Sequence, residues 1–310
     1  MEDHWKLSYK PGNSEEEEIE EGKFGLYSSL PLSVFLAIPY KGSFCDSVCI
    51  CNPCTSEYTI LPRTSTIKYW VGNIVSGFGY LPSTDEYKVV RILYPYKGYK
   101  RPASEDDKIL VQVYTLGKNS SSGWRNITAV PPGLLHREGI FPNGSLYWKY
   151  LNEDNNNTNG LVAFDLVDES FQVLPTPPCI QFPSEKDSVY FVKMLGGHLC
   201  LIDHANGSSC GDVIEQEYYR DWIWSKDFSV ELEQNGRFYE PFALTKNNQV
   251  LIWSQSSIKC YDPITKSLSV VVERERDSSF ETFKGVLHMN TLVSLKWKLQ
   301  GNPFYRFSIP

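Results

Sequence analysis

The sequence predicts an all-β fold of the β-propeller kind, with about six short-stranded blades. Three observations predict it. Aromatic residues make up 14% of the 310 residues, with 8 Trp and 19 Tyr against 3 Met, and aromatic side chains suit half-buried pleated surfaces. Apolar runs are short and end in Gly, Pro, Asn or Asp, and none sustains the i, i+3, i+4, i+7 stripe of a capped helix. Two hairpin-like units recur along the chain.

The runs of strand length include residues 87–93 (YKVVRIL), 109–116 (ILVQVYTL), 161–166 (LVAFDL) and 249–253 (QVLIW). Each is rich in β-branched or aromatic side chains. The first recurring unit is an aromatic residue or Cys, then Asp or Asn, a short turn and a returning strand. It reads Cys51-Asn52-Pro53-Cys54-Thr55, Phe164-Asp165-Leu166 and Tyr261-Asp262-Pro263-Ile264-Thr265, with a looser copy at Tyr80-Leu81-Pro82-Ser83-Thr84. The Asp or Asn accepts backbone N–H groups two residues on, and Pro presets φ in the turn. The second unit is a Gly or Asn turn entering an apolar strand: Asn143-Gly144-Ser145-Leu146, Gly196-Gly197-His198-Leu199 and Asn247-Asn248-Gln249-Val250. Its copies start 53 and 51 residues apart, close to the period of about 40–50 residues of a propeller blade.

Residues 1–22 read as a disordered acidic tail, since Glu15 to Glu18 with Glu20 and Glu21 repel one another and bury nothing. Residues 23–310 read as the folded domain. A net charge of −7 argues against nucleic acid as a partner. The short basic tip of Lys97, Lys100 and Arg101 is followed at once by Glu105, Asp106 and Asp107. There is no membrane-spanning apolar run, and residues 30–39 (LPLSVFLAIP) read as a buried strand. The N-terminus has no signal-peptide core, so a cytoplasmic or nuclear location with reduced thiols is expected. The glycosylation sequons at Asn119, Asn126, Asn143, Asn156 and Asn206 then read as β turns.

Cys45, Cys49, Cys51 and Cys54 crowd ten residues, and four thiolates would complete a tetrahedral zinc site. Against this, Cys49 and Cys51 share one face of a strand, and other copies of the turn place Phe164 and Tyr261 where Cys51 stands. Structural thiols are expected, and no metal or cofactor. Of five histidines, His198 and His288 fall in strands or their entry turns, and His204 lies beside a loop near Cys210. The pairs Asp106/Asp107 and Asp168/Glu169 read as solvated turn carboxylates. No phosphate loop, dinucleotide fingerprint or nucleophile elbow is present, so no catalytic residue is assigned and the chain is read as a non-enzyme.

The blocks just described resemble those of the F-box-associated interaction domain, a large plant family. Residues 77–91 (GFGYLPSTDEYKVVR) match its most recognisable block and residues 52–63 (NPCTSEYTILPR) the one before. The strand 111–116 followed by Gly123-Trp124-Arg125 matches the next. Residues 141–148, 164–175, 195–202, 221–224, 244–253, 261–265 and 288–295 continue in the family's order, so the resemblance spans about residues 40–297. It implies a kelch-related propeller that recognises the protein substrate of a Skp/cullin/F-box ubiquitin ligase. Two departures stand out. An acidic tail occupies the place of the F-box, and residues 30–36 (LPLSVFL) are only similar to the opening of one. A Skp-type adaptor is therefore expected as a partner only if a cryptic or missing F-box is supplied. Residues 42–51 (GSFCDSVCIC) read as a shortened first blade.

The expected function is protein capture for ubiquitin-dependent degradation. The alternatives are a binding-only decoy or truncated relic, and a propeller enzyme or sugar binder. Long irregular connections on a strand scaffold are where recognition concentrates, and Trp and Tyr make good interface anchors. The candidate partner-binding residues are Tyr96, Tyr99, Asp154, His204, Trp222 and Trp224.

Overall fold

The computed structural model describes residues 23–27, 33–38, 48–52, 54–62, 71–95, 108–117, 123–136, 139–141, 144–152, 158–175, 189–195, 198–204, 209–216, 224–232, 239–254, 257–273 and 305–306. Among them are strands in five antiparallel sheets and no helix. The first sheet holds β1 (Lys23–Tyr27), β2 (Ser33–Ile38), β3 (Val48–Asn52) and β4 (Glu57–Ile60) in that order. The second holds β5 (Val71–Leu81), β6 (Glu86–Pro95), β7 (Leu110–Leu116) and β8 (Arg125–Ile127). The third holds β9 (Leu134–Leu135), β10 (Ser145–Asn152), β11 (Thr158–Asp165) and β12 (Phe171–Leu174). The fourth holds β13 (Val189–Leu195), β14 (His198–His204), β15 (Ser209–Gln216) and β16 (Trp224–Leu232). The fifth holds β17 (Glu240–Leu244), β18 (Val250–Ser254), β19 (Ser257–Asp262) and β20 (Ser267–Glu273). A last strand, β21 (Tyr305–Arg306), returns to the first sheet, with Tyr305 opposite Tyr58 and Arg306 opposite Glu57.

Both repeated sequence units map onto fixed places in these sheets. The Gly/Asn units enter β10, β14 and β18, the second strands of three successive sheets. The Asp/Asn units make the turns between third and fourth strands. Asn52 Oδ1 accepts the Cys54 N–H at 2.9 Å. Asp165 Oδ1 accepts those of Val167 and Asp168 at 2.7 and 2.9 Å, and Asp262 Oδ1 those of Ile264 and Thr265 at 2.9 and 3.2 Å. Each turn ends on a residue with left-handed backbone: Ser56, Glu169 and Lys266 have φ of 54°, 53° and 54°. The looser copy is a different hairpin, joining first strand to second in sheet 2. Its turn position 81 is Leu rather than Asp, and the Tyr80 hydroxyl instead donates to Asp85 Oδ1 at 2.8 Å.

One further expectation changes: the first blade is not short, because β1, β2 and β21 bring it to five strands. The segment of residues 30–39, read as a strand, contains β2, paired with β1 on one side and β3 on the other. Five sheets are seen among the described residues, beside about six read from the repeat length; residues 274–304, like the acidic segment 1–22, lie outside the description.

The sheets pack face to face. Val48, Ile50 and Leu61 of the first meet Phe78, Tyr87, Val89 and Tyr114 of the second. The opposite face of the second packs Val90, Ile92 and Val113 on Leu146, Trp148 and Phe164 of the third. Leu161, Ala163 and Leu174 of the third meet Val192 and Leu199 of the fourth. Period-2 alternation thus gives β6 and β7 two buried faces, which is why they read as nearly continuous apolar runs. Close approach of sheets 2 and 3 requires glycine. A Cβ on Gly77 would sit 2.7 Å from Trp148 Cζ2 and 2.8 Å from Leu146 Cδ1. Gly77→Ala is therefore expected to cost about 1–3 kcal/mol through overpacking, measured as a several-degree fall in Tm.

Candidate partner-binding surface

Antiparallel order gives each sheet two ends. In sheet 2 the tight turn of residues 82–85 lies at one end and the connection 96–109 between β6 and β7 at the other. In sheet 3 the turn of residues 166–170 and the β10–β11 connection of residues 153–157 divide the same way. Contacts between the sheets fix their relative direction. Lys88, next to the tight turn of sheet 2, donates from Nζ to the Leu166 carbonyl at 2.5 Å and to Glu169 Oε1 at 2.7 Å, both in the tight turn of sheet 3. Near the other end of β6, the Tyr94 hydroxyl donates to the Gly133 carbonyl at 2.9 Å and accepts from the Leu135 N–H at 3.0 Å. Leu135 lies opposite Tyr150, close to the end of β10. The irregular connections of both sheets therefore leave from one common end.

Tyr96, Tyr99 and Asp154 belong to those two connections and lie outside the described residues. His204 ends β14, immediately before the connection 205–208. Trp224 opens β16 opposite Gln216, at the end of sheet 4 where Leu195 and His198 turn into one another; Trp222 lies outside the described residues. His204 and Trp224 are thus at opposite ends of sheet 4. Of the six candidates, His204 and Trp224 are the two within the described residues.

The tight-turn end carries a three-membered ion-pair cluster. Glu169 accepts from both Lys88 and Arg125, the latter in a two-point ion pair. Side-chain exposures are 10% for Lys88, 15% for Glu169 and 40% for Arg125. Burial works to raise the Glu169 carboxyl, but hydrogen bonds and charge from Arg125 and Lys88 outweigh it and hold the group below its ordinary value. This corrects the reading of Glu169 as a solvated turn carboxylate. It is a clamp between sheets 2 and 3, and it explains why a lysine sits inside the apolar strand β6.

Its neighbour in sequence works in the other direction. Trp124 precedes Arg125 on the approach to β8, so the two side chains point to opposite faces. Trp124 Nε1 donates to the Pro62 carbonyl at 2.8 Å, reaching sheet 1, while its ring lies 4.1 Å beneath the Arg91 guanidinium. Arg91 is buried and donates to Gln112 Oε1 at 2.6 Å, and Gln112 donates to Asn126 Oδ1 at 2.9 Å. Burial lowers the Arg91 pKa to about 10, which leaves it cationic at neutral pH. Asn126 is accordingly a strand residue rather than a turn residue. The other sequon asparagines lie outside the described residues.

The two cysteines of β3 offer little reactive chemistry. Cys51 is buried and Cys49 half-buried, on one face of β3 as expected, whereas Cys54 is exposed and Cys45 lies outside the described residues. Burial pushes the Cys49 thiol up to about 12 and raises that of Cys51 as well; thiols so raised are poor nucleophiles and poor ligands. Among the described residues no three His, Cys, Asp or Glu side chains gather as a metal would require, and no helix is long and apolar enough to cross a membrane.

Comparison with known proteins fits this geometry. The family model for the F-box associated beta propeller domain matches residues 31–272, most of the chain. The chain belongs to the F-box-associated β-propeller family. Among relatives of this F-box-associated domain, the Arabidopsis thaliana F-box protein At3g07870 is 24% identical over 322 residues, covering 90% of this chain and 75% of that protein. The Arabidopsis F-box/kelch-repeat protein At3g23880 is 25% identical, with 63% of this chain and 52% of that protein covered. The Arabidopsis F-box protein CPR1 is also 25% identical, covering 74% and 60%. The chain thus spans three quarters of the first relative and about half of the second. Gly77, Lys88, Trp124, Arg125 and Glu169, which join one sheet to the next, all lie within the matched span.

Proposed function

We propose that this F-box-associated domain is the substrate-recognition module of a Skp/cullin/F-box ubiquitin ligase. It captures a protein, and other subunits carry out the ubiquitylation. The observation that carries the reading is the family match over residues 31–272, together with relatives named F-box proteins. The geometry supports it in one respect. Lys88, Trp124, Arg125 and Glu169 are used in sheet-to-sheet contacts, and in this reading the irregular connections are left to read a partner.

In this reading the common loop end of sheets 2 and 3 is the capture surface, with Tyr96 and Tyr99 as aromatic anchors and Asp154 and His204 at its edge. Trp222 and Trp224 serve the opposite end and do not contact the same partner. The test is affinity purification of residues 1–310 fused to an F-box, with mass spectrometry of what is retained. A specific protein is expected. Replacing Tyr96 and Tyr99 together by Ala lowers its capture by about ten-fold or more, the scale of a lost anchor, whereas Trp224→Ala leaves it unchanged. Binding to glycans with no protein retained would reject the proposal.

A further inference from the structure

The outer strands of the sheets meet solvent in different ways. β12 keeps Leu174 buried and Phe171 half-buried. The outer side of β4 is taken by β21. β20 has neither protection: all seven of its residues are exposed, including Leu268 and the consecutive Val270, Val271 and Val272. Among the described residues nothing pairs with its outer edge. Ile258 lies opposite Val272 and Lys259 opposite Val270, so Val271 is the extra residue of a bulge. Edge strands are normally blunted by a bulge, inward-pointing charge, proline or a covering element, and of these β20 carries only the Val271 bulge among the described residues. Here the charges stand only at the two ends, Lys266 before the strand and Glu273 at its close.

We propose that β20 is a strand-addition site for an extended, β-branched segment of a protein partner. Main-chain hydrogen bonds along the free edge supply affinity and the end charges supply direction. An antiparallel segment that is basic at its N-terminus and acidic at its C-terminus places its charges against Glu273 and Lys266. The fold already contains this arrangement once, since β21 adds to the outer edge of the equivalent fourth strand β4. A second copy of the chain fits less well: two β20 strands crossing about Val270 leave Glu273 opposite Ser267 and set Lys266 against position 274, which is also basic. The proposal rests on the reading of the domain as a protein-binding module and adds to it a second surface with a stated partner chemistry.

The test uses the full chain and a labelled peptide, Lys-Thr-Val-Thr-Val-Thr-Val-Glu, beside the same peptide with its end charges exchanged. The first peptide is expected to bind and to slow amide hydrogen exchange over residues 267–273. The exchanged peptide should bind about five-fold more weakly or worse, since like charges then face each other at both ends. Val270→Lys and Val272→Lys, at exposed positions that leave the fold intact by thermal unfolding, should abolish binding. Failure of the first peptide to bind, equal affinity for both peptides, or indifference to the lysine variants would overturn the site. A concentration-dependent dimer lost in Val272→Lys would also overturn it, assigning the edge to a second copy. Substrate capture by the F-box fusion is measured in parallel. Capture that persists while the peptide fails to bind rejects strand addition and leaves the receptor reading standing.

Discussion

Replacing Trp148 by Ala is expected to destabilise the domain by about 3–5 kcal/mol, the largest effect of any single truncation in the packed sheets. Trp148 is fully buried, with its ring against Gly77 of β5 and Gly139 of the segment leading to β10. Both glycines leave space that the indole fills, so its loss opens a cavity between sheets 2 and 3. The neighbouring strands cannot collapse into it, being held by their own ladders. The indole N–H has no hydrogen-bond partner among the described residues. Trp148→Phe therefore loses volume without losing a hydrogen bond and should cost clearly less than the alanine. Urea midpoints of the two variants measure both. Equal midpoints for Trp148→Ala and the parent would contradict the packing described.

Glu169→Ala is expected to cost about 2–3 kcal/mol, less than for a fully buried pair because Arg125 remains partly solvated. The loss has two parts: an inter-sheet contact disappears, and Lys88 is left as a buried cation facing the Leu166 carbonyl alone. Lys88→Met in the Glu169→Ala background should recover part of the loss, a coupling that a double-mutant cycle reads directly. The pH dependence has a definite sign. The folded-state carboxyl titrates below its ordinary value, so its contribution is fully present above the unfolded pKa of about 4.3 and fades as pH falls through the lower folded value. Parent and Glu169→Gln should therefore converge in Tm as the pH is taken from neutral down through the lowered folded-state value. A constant gap would show that the carboxylate's charge contributes nothing.

The turns were legible in the sequence because their chemistry is local. Asn52, Asp165 and Asp262 each accept a backbone N–H two residues on, and that needs only the right residue at the right offset. The starts of β10, β14 and β18 were legible for a similar reason, a Gly or Asn turn repeated at nearly constant spacing. The Lys88–Glu169–Arg125 clamp was not legible, since its members lie 81 and 44 residues apart and meet only when two sheets stack. A charged residue at position 88 inside an otherwise apolar strand was the available signal. The five-stranded first sheet was hidden in the same way, because β21 comes from the far end of the chain. Among the candidate partner residues, the places of His204 and Trp224 at opposite ends of sheet 4 follow from strand order. Their affinity for a partner does not, because that depends on surfaces outside the chain.

The central claim, that this domain captures a protein for a ubiquitin ligase, is tested most directly by one reconstituted reaction. Residues 1–310 fused to an F-box are assembled with a plant Skp-type adaptor, cullin and conjugating machinery, and offered the protein they retain. The account predicts ubiquitylation of that protein, reduced when Tyr96 and Tyr99 are replaced by Ala and unchanged by Trp224→Ala. Assembly into the ligase with no retained protein, or with a retained protein that stays unmodified, would contradict it.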